Sequence, residues 1–251
     1  SINFKNKNKK EIIREFEVEK WGKLYSKFSN VKNFTLNDII NEEIQNNNLL
    51  PSFTSSHGLQ LTSGLYNFEQ HLRIYNDTLS KHVDEACSLV ELGAGYGSKI
   101  FNLSFMKSFK NLNLYAGEYT PAGCKLINLI SKNLNKYITV DLFDFSHPHK
   151  TNLKIPENSI IFSSYALHYT KNLKPDFINF FLKLKPKAII FFEPCYELFD
   201  SKSLHELLCK KYMLMNDYTL NIFSVIDHGC KKNNLKLKIQ KNIIGSNPLL
   251  P

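Results

Sequence analysis

The chain has 251 residues, with 32 Lys+Arg against 23 Asp+Glu and a formal net charge of +9. That length accommodates one full α/β domain with an extension, or two small domains, and 43% hydrophobic residues suffice for a core, which excludes global disorder. Ten Gly and nine Pro exclude collagen-like and proline-rich architectures. No run approaches the roughly 18–20 apolar residues of a membrane span. The opening stretch SINFKNKNKKEIIREF lacks the apolar segment of a secretory signal. Cys87, Cys124, Cys195, Cys209 and Cys230 form no C-x-x-C pair and are odd in number, which predicts reduced thiols and a cytoplasmic setting. No paired Cys or His spacing suggests a metal site, so none is predicted. The positive charge has two readings. One is an anionic partner. The other is the Asn, Lys, Ile and Phe bias of an AT-rich genome, since the densest cluster (Lys5, Lys7, Lys9, Lys10) lies at the N-terminus.

Residues 1 to about 84 read as a helical extension. Ile12, Ile13, Phe16, Trp21 and Leu24 stand close to helical spacing and predict one helix over residues 11–25. Thr35 or Asn37 can cap a second helix through Ile39, Ile40 and Ile44, and a third is predicted over residues 66–82. Residues 51–64 read as loop, and no strand is predicted in this region.

From Ser88 short apolar runs alternate with helical patterns. The runs SLVEL, LNLYAGE, YITVDLF, SIIFSSY and AIIFFEP predict strands, and LKLKIQKNII predicts a sixth. Between them SKIFNLSFMKSF, PAGCKLINLISKNL, PDFINFFLKL and SLHELLCKKYML predict helices. This alternation predicts an α/β fold, a mostly parallel sheet with helices on both faces, whose ligand site lies at the carboxyl ends of the strands. The two parts divide as residues 1–84 and residues 85–251.

A glycine-rich turn, Glu91-Leu92-Gly93-Ala94-Gly95-Tyr96-Gly97-Ser98, joins the first of these strands to its helix. Glycines there permit a tight turn and close backbone approach, and the helix behind offers free N–H groups. A dinucleotide fingerprint would need glycine at position 98, where the chain has Ser98. The E-x-G-x-G-x-G pattern instead resembles motif I of the class I S-adenosylmethionine-dependent methyltransferases. The resemblance covers about residues 85–245. It implies a Rossmann-like methyltransferase sheet and S-adenosylmethionine as cofactor, with S-adenosylhomocysteine (SAH) as product.

Further positions carry the resemblance. Glu118 ends the second strand, where an acidic side chain can accept both ribose hydroxyls; the alternative is a carboxylate capping the helix that begins near Thr120-Pro121. Asp141 and Asp144 both stand where the family places an acceptor for the adenine amino group, and Asp144-Phe145 is preferred; at least one of the two aspartates is a turn residue. Ser163-Ser164-Tyr165-Ala166-Leu167-His168-Tyr169 follows the fourth strand, where family members place substrate-facing residues. Many relatives begin that strand with an acidic residue, whereas this chain has Asn158-Ser159. The resemblance thus implies cofactor contacts from Glu91, Gly93, Ala94, Gly95, Gly97, Glu118, Tyr119, Asp144, Phe145 and Ser164. The Asn/Asp-Pro-Pro-Tyr motif of amino methyltransferases acting on nucleic-acid bases is absent, which argues against that subclass specifically; a nucleic-acid partner is not the expectation.

Methyl transfer needs alignment of nucleophile and methyl carbon, and a base when the nucleophile is a hydroxyl. His168 is the first candidate for that base, with a structural histidine as the alternative, and Glu193 lies on the same rim. Tyr165, Arg73 and His57 are candidate acceptor-binding residues; Arg73 could clamp a phosphate or the cofactor carboxylate. His205 and Glu206 are expected to face solvent, and His228 to end a helix. The helical extension, GLQLTSG and the ending SNPLLP resemble sugar O-methyltransferases of bacterial surface-glycan pathways. With the positive charge, this resemblance implies O-methylation of a small, phosphate-bearing acceptor, such as a nucleotide-linked or phosphorylated sugar of capsule biosynthesis, by a monomer or homodimer. Methylation of a phosphoryl-containing precursor of a capsule decoration, of RNA or of protein, and non-catalytic binding of the cofactor, are the alternatives.

Overall fold

The apolar runs after residue 85 pair into one parallel sheet in the computed structural model, which describes residues 9–47, 52–54, 60–241 and 247–250. A short hairpin, β1 (Ser52–Thr54) and β2 (Gln60–Thr62), precedes it. The sheet comprises β3 (Ser88–Leu92), β4 (Asn113–Glu118), β5 (Thr139–Leu142), β6 (Ser159–Ser164) and β7 (Ala188–Phe192), in the order β5-β4-β3-β6-β7. All four pairings are parallel. β3 and β6 lie at the centre and are buried along their whole length.

Successive residues of a strand point to opposite faces, and the two faces bury different helices. Leu89, Leu114, Ala116, Ile160 and Phe162 share one core with α2 (Trp21–Phe28), α3 (Leu36–Asn47), α4 (Gly64–Leu79), α5 (Ser98–Phe105) and α6 (Pro121–Asn133). Val90, Leu92 and Ile161 share the other with α7 (Phe177–Lys183) and α9 (Ile222–Lys232). The N-terminal helices therefore contribute directly to the core of the sheet: Trp21, Ile39, Tyr75 and Leu79 belong to the same buried cluster as Leu89 and Phe101. α8 (Leu204–Met215) packs through Met213 on a smaller cluster with Tyr218 and Leu250. No helix among the described residues is long and apolar enough to cross a membrane.

Most predicted elements form, with local caps that explain their limits. Thr35 rather than Asn37 starts α3: its hydroxyl accepts the Asp38 N–H, and its own N–H reaches the Asp38 carboxylate at 2.7 Å. Ser63 accepts the Tyr66 N–H and begins α4, which continues as a 3-10 turn to His82. Thr120 caps α6 through the Gly123 N–H.

Four expectations need correction. Residues 52–54 and 60–62 form a hairpin where loop is expected, because three-residue strands are too short to give an alternation. LKLKIQKNII gives no strand over its described residues 235–241, although alternation predicts one. Leu237 alone packs on the core, Leu235 and Ile239 stay exposed, and Lys241 turns to Glu206 on α8. His205 and Glu206 are half-buried rather than solvent-facing, and His205 Nε2 meets the Pro248 carbonyl oxygen at 2.5 Å. The predicted first helix is broken into α1 (Lys9–Arg14), a π-helical turn (Glu15–Lys20) and α2.

Gly22 explains where that turn ends. A Cβ built on it would stand 2.4 Å from the Glu17 carbonyl oxygen, a distance no side chain tolerates. Alanine normally favours a helix over glycine by about 1 kcal/mol, but overpacking costs about 1–3 kcal/mol. Gly22→Ala should therefore lower the unfolding free energy by about 1–2 kcal/mol in urea denaturation. A raised midpoint would mean that residues 15–20 adopt an ordinary α-helix.

Candidate active site

The strand order reverses between β3 and β6, and the loops leaving their carboxyl ends meet there. Leu92 lies opposite Ser163 and leads into the glycine turn. Gly93, Gly95 and Gly97 all take left-handed φ, of 73°, 60° and 81°. At Gly93 a Cβ would fall 2.2 Å from that of Ala166, so glycine is required for the turn after β3 to touch the turn after β6. Gly93 and Ala94 donate their N–H groups to the Gly117 carbonyl on β4, at 2.7 and 3.1 Å.

Glu118 ends β4 beneath that turn. Its Oε2 accepts the Gly95 N–H at 2.9 Å, and Oε1 accepts the N–H and hydroxyl of Thr120 at 3.0 and 2.7 Å. Burial pushes its carboxyl above the usual range, against the pull of these donors. The Thr120 side chain is the helix cap, and Glu118 holds Thr120 and Gly95 together. Tyr119, half-buried, follows.

Glu91 is fully buried on β3. Gly97 has no side chain to cap α5, and Glu91 does so across the turn, accepting the Ile100 N–H at 3.1 Å. Its other oxygen lies 3.0 Å from the Lys99 ammonium. Burial pulls the Lys99 ammonium down, but the Glu91 charge outweighs it and holds Lys99 above its ordinary range. After β5, Asp144 accepts the Ser146 N–H at 2.8 Å and faces His147, an Asx turn. Phe145 is buried edge-on to Phe143, and its ring would meet a side chain at Gly93. Asp141 is half-buried, with its carboxylate on the Leu142 N–H at 2.6 Å.

A second polar group lies at the ends of β6 and β7. The Glu193 side chain and His168 are each about 1% exposed. Glu193 Oε1 accepts the Ser163 hydroxyl at 2.7 Å and the Ala166 and Leu167 N–H groups at 3.0 and 2.9 Å. Its Oε2 faces His168 Nδ1 at 3.1 Å. An ionised carboxylate can only accept, so Nδ1 carries a proton, and in the neutral ring Nε2 then presents its lone pair. That Nε2 is buried and has no hydrogen-bond partner. Tyr169 and Tyr218 pack on the imidazole at 4.3 and 4.8 Å between ring centres. Ser164 shares a 2.7 Å hydrogen bond with the buried Tyr75 hydroxyl of α4. Tyr165 takes a left-handed φ of 52° and donates its N–H to the Phe192 carbonyl.

The structure thus brings together the glycine turn, Glu118, Phe145, Ser164, Tyr165, His168 and Glu193. Arg73 is exposed on α4, two residues from Tyr75 and so on the opposite side of that helix. His57 lies outside the described residues. Among the described residues, no group of three or more His, Cys, Asp or Glu side chains could hold a metal ion.

Several residues at the site escape the sequence motifs. Trp21 of α2 packs against Gly95, where a Cβ would lie 2.9 Å from its indole, and its ring is tilted at 53° to that of Tyr96 with ring centres 5.3 Å apart. Glu17 accepts the Ala122 N–H at the start of α6, at 2.8 Å. His71 on α4 stacks on Tyr165 with ring centres 6.1 Å apart. Its signal was present: Asn67, His71, Tyr75 and Leu79 recur every four residues, so two polar side chains occupy a core-facing stripe.

No protein-family profile and no curated protein sequence matches the chain. Solved structures do. One is the magnesium protoporphyrin IX methyltransferase of Synechocystis PCC 6803 with bound SAH, at 11% identity over 90% of this chain and 89% of that one, with a TM-score of 0.51. Another is the plantazolicin methyltransferase BpumL with a monoazolic desmethylPZN analog and SAH, at 15% identity over 95% and 85%, with a TM-score of 0.50. At these identities the likeness is one of fold: the chain has the Rossmann-like α/β fold of the class I methyltransferases.

The Glu193 network has a signature in acid. Burial raises the Glu193 carboxyl, but the His168 bond and charge, with Ser163 and the Ala166 N–H, outweigh it and hold the group below its ordinary 4.5. A depressed folded value contributes stability above the unfolded value, lost as pH falls through the folded one. Below pH about 4.5 the unfolding free energy should therefore rise with pH, and Glu193→Gln should flatten that slope. Urea titrations at pH about 3.5, 4.5 and 6 compare the two proteins; equal slopes would mean that Glu193 is not held ionised.

Proposed function

We propose that the protein is an S-adenosylmethionine-dependent methyltransferase acting on a hydroxyl of a small acceptor, with His168 as base. The observation that carries this is the unpartnered, buried Nε2 of His168 at the end of a central strand, in a methyltransferase fold, its tautomer set by Glu193. Both structural neighbours are methyltransferases with SAH, which supports the same cofactor here.

The residues at the strand ends fit that group. Glu118 Oε2 accepts the Gly95 N–H, and the carboxylate would offer an acceptor to a ribose hydroxyl. Gly93, Ala94, Gly95 and Gly97 would let the backbone approach the cofactor, with Glu91 supporting the turn from below. Tyr119, Asp144 and Phe145 would border the adenine, and Ser164 the methionine end. When bound, S-adenosylmethionine supplies a sulfonium methyl group whose C–S bond breaks toward sulfur as the acceptor oxygen bonds carbon, leaving SAH. His168 Nε2 takes the hydroxyl proton, and Glu193 stabilises the resulting imidazolium through Nδ1. The tyrosines around His168 keep water from competing as nucleophile. The N-terminal segment serves as lid: Trp21 covers Gly95, Glu17 closes on α6, and Phe16 meets Tyr169 edge-on at 5.3 Å.

For the acceptor we favour a nucleotide-linked or phosphorylated sugar of surface-glycan biosynthesis in the cytoplasm. The support is the resemblance of the helical extension and the net charge of +9. Tyr165 would line the acceptor side; Arg73 could serve only through contacts made from its exposed position.

Incubation with S-adenosylmethionine and pooled nucleotide sugars, sugar phosphates and bulk RNA, read by mass spectrometry, tests the reading. A one-methylene gain on a sugar compound is expected. His168→Ala should lower turnover about 10²–10⁴-fold. Glu193→Gln should do nearly as much, because its amide donates to Nδ1 and moves the proton to Nε2. A gain on RNA alone would transfer the reading to an RNA methyltransferase. SAH binding without any methyl transfer would favour a non-catalytic partner.

A further inference from the structure

Among the described residues, His168 is one of two histidines with a ring nitrogen that is buried and unpartnered; the other is His71, through its Nε2. They flank one side chain. The Tyr165 ring stacks on His71 at 6.1 Å and 11°, and stands edge-on to His168 at 6.3 Å and 82°. His71 comes from α4 and His168 from the turn after β6, and the two elements are bolted together by the Tyr75–Ser164 hydrogen bond. A buried polar atom without a partner costs about 1–3 kcal/mol. Two of them, on imidazoles that pack against one aromatic ring, are a cost that a ligand with two hydrogen-bonding groups would remove.

We propose that His71 is a second acceptor-positioning residue, and that the acceptor carries at least two hydroxyl groups, one bonded to His168 Nε2 and another to His71 Nε2. This rests on the methyl-transfer reading above and specifies its substrate as a polyol. Tyr165, half-buried and held at φ 52°, is the group the acceptor displaces to reach both nitrogens. His71 suits a neutral partner rather than a phosphate. Burial first, and the nearby Lys99 charge second, hold its imidazole down at about 4, so it is uncharged at neutral pH. An anionic part of the acceptor would be met elsewhere, and the reacting ring held here by direction rather than by charge.

The test uses the full chain saturated with SAH and two probes, uridine diphosphate glucose and glucose 1-phosphate, with inorganic pyrophosphate as the control lacking any sugar. Calorimetry gives the affinities, and imidazole ¹H–¹⁵N correlation reads the two Nε2 atoms. At least one sugar probe should bind and shift both nitrogens, while pyrophosphate shifts neither. His71→Phe should weaken that probe about tenfold and leave SAH affinity unchanged. His71→Gln, which keeps a polar group near the Nε2 position, should recover most of the loss. The inference is overturned if His71→Phe leaves the probe unaffected, if it weakens SAH instead, or if neither sugar binds the SAH complex. Failure of SAH to bind the unaltered protein would instead sink the methyl-transfer reading itself.

Discussion

An ionised carboxylate without water is tolerated only where donors replace the lost hydration, and Glu193 meets that condition at the end of β7. The Ser163 hydroxyl, the Ala166 and Leu167 N–H groups and the His168 ring all point at it. Desolvation of such a group costs several kcal/mol, and each hydrogen bond to charge returns about 1.5–3. The network therefore constrains three things at once. It turns the chain after β6 tightly enough to put Ala166 against Gly93, it joins β6 to β7 beyond their last paired residues, and it leaves His168 with one free nitrogen.

The same device recurs along the rim. Glu91 on β3 caps α5 where Gly97 cannot, and Glu118 on β4 holds the Gly95 N–H and Thr120. Each carboxylate stands at or near a strand end and fixes the loop beyond its own strand or a neighbouring one. The glycine turn is thus set from below by side chains, while its left-handed residues let Ala166, Trp21 and Phe101 pack where Cβ atoms would stand. From above, Trp21 and Glu17 complete the enclosure. They come from the segment in which the π-helical turn rotates the chain relative to an ordinary helix.

Much of this was legible in the sequence. Strand–helix alternation gave the sheet, since each run from Ser88 to Phe192 places alternate residues against different helices. The spacing of Gly93, Gly95 and Gly97 before a helix, and Glu118 at the next strand end, located the rim. His168 and Glu193 were found as rim residues, but their hydrogen bond joins positions 25 apart in sequence and depends on β6 lying beside β7. What escaped has physical reasons. A π turn keeps helical spacing, so only Gly22 marks it. A strand needs a neighbour as well as alternation, and residues 235–241 lack one. His71 was hidden because its stripe on α4 reads as ordinary core until Tyr165 is seen beside it.

The central claim is that the carboxyl ends of β3, β4 and β6 form a methyl-donor site built on Glu118 and the glycine turn. Calorimetric titration of SAH, with NADH as the competing ligand class, tests it most directly. The account predicts saturable binding of one SAH per chain, no binding of NADH, and loss of the SAH signal in Glu118→Leu, with the fold retained by circular dichroism. Absence of SAH binding to the unaltered chain, or tight NADH binding in its place, would contradict it.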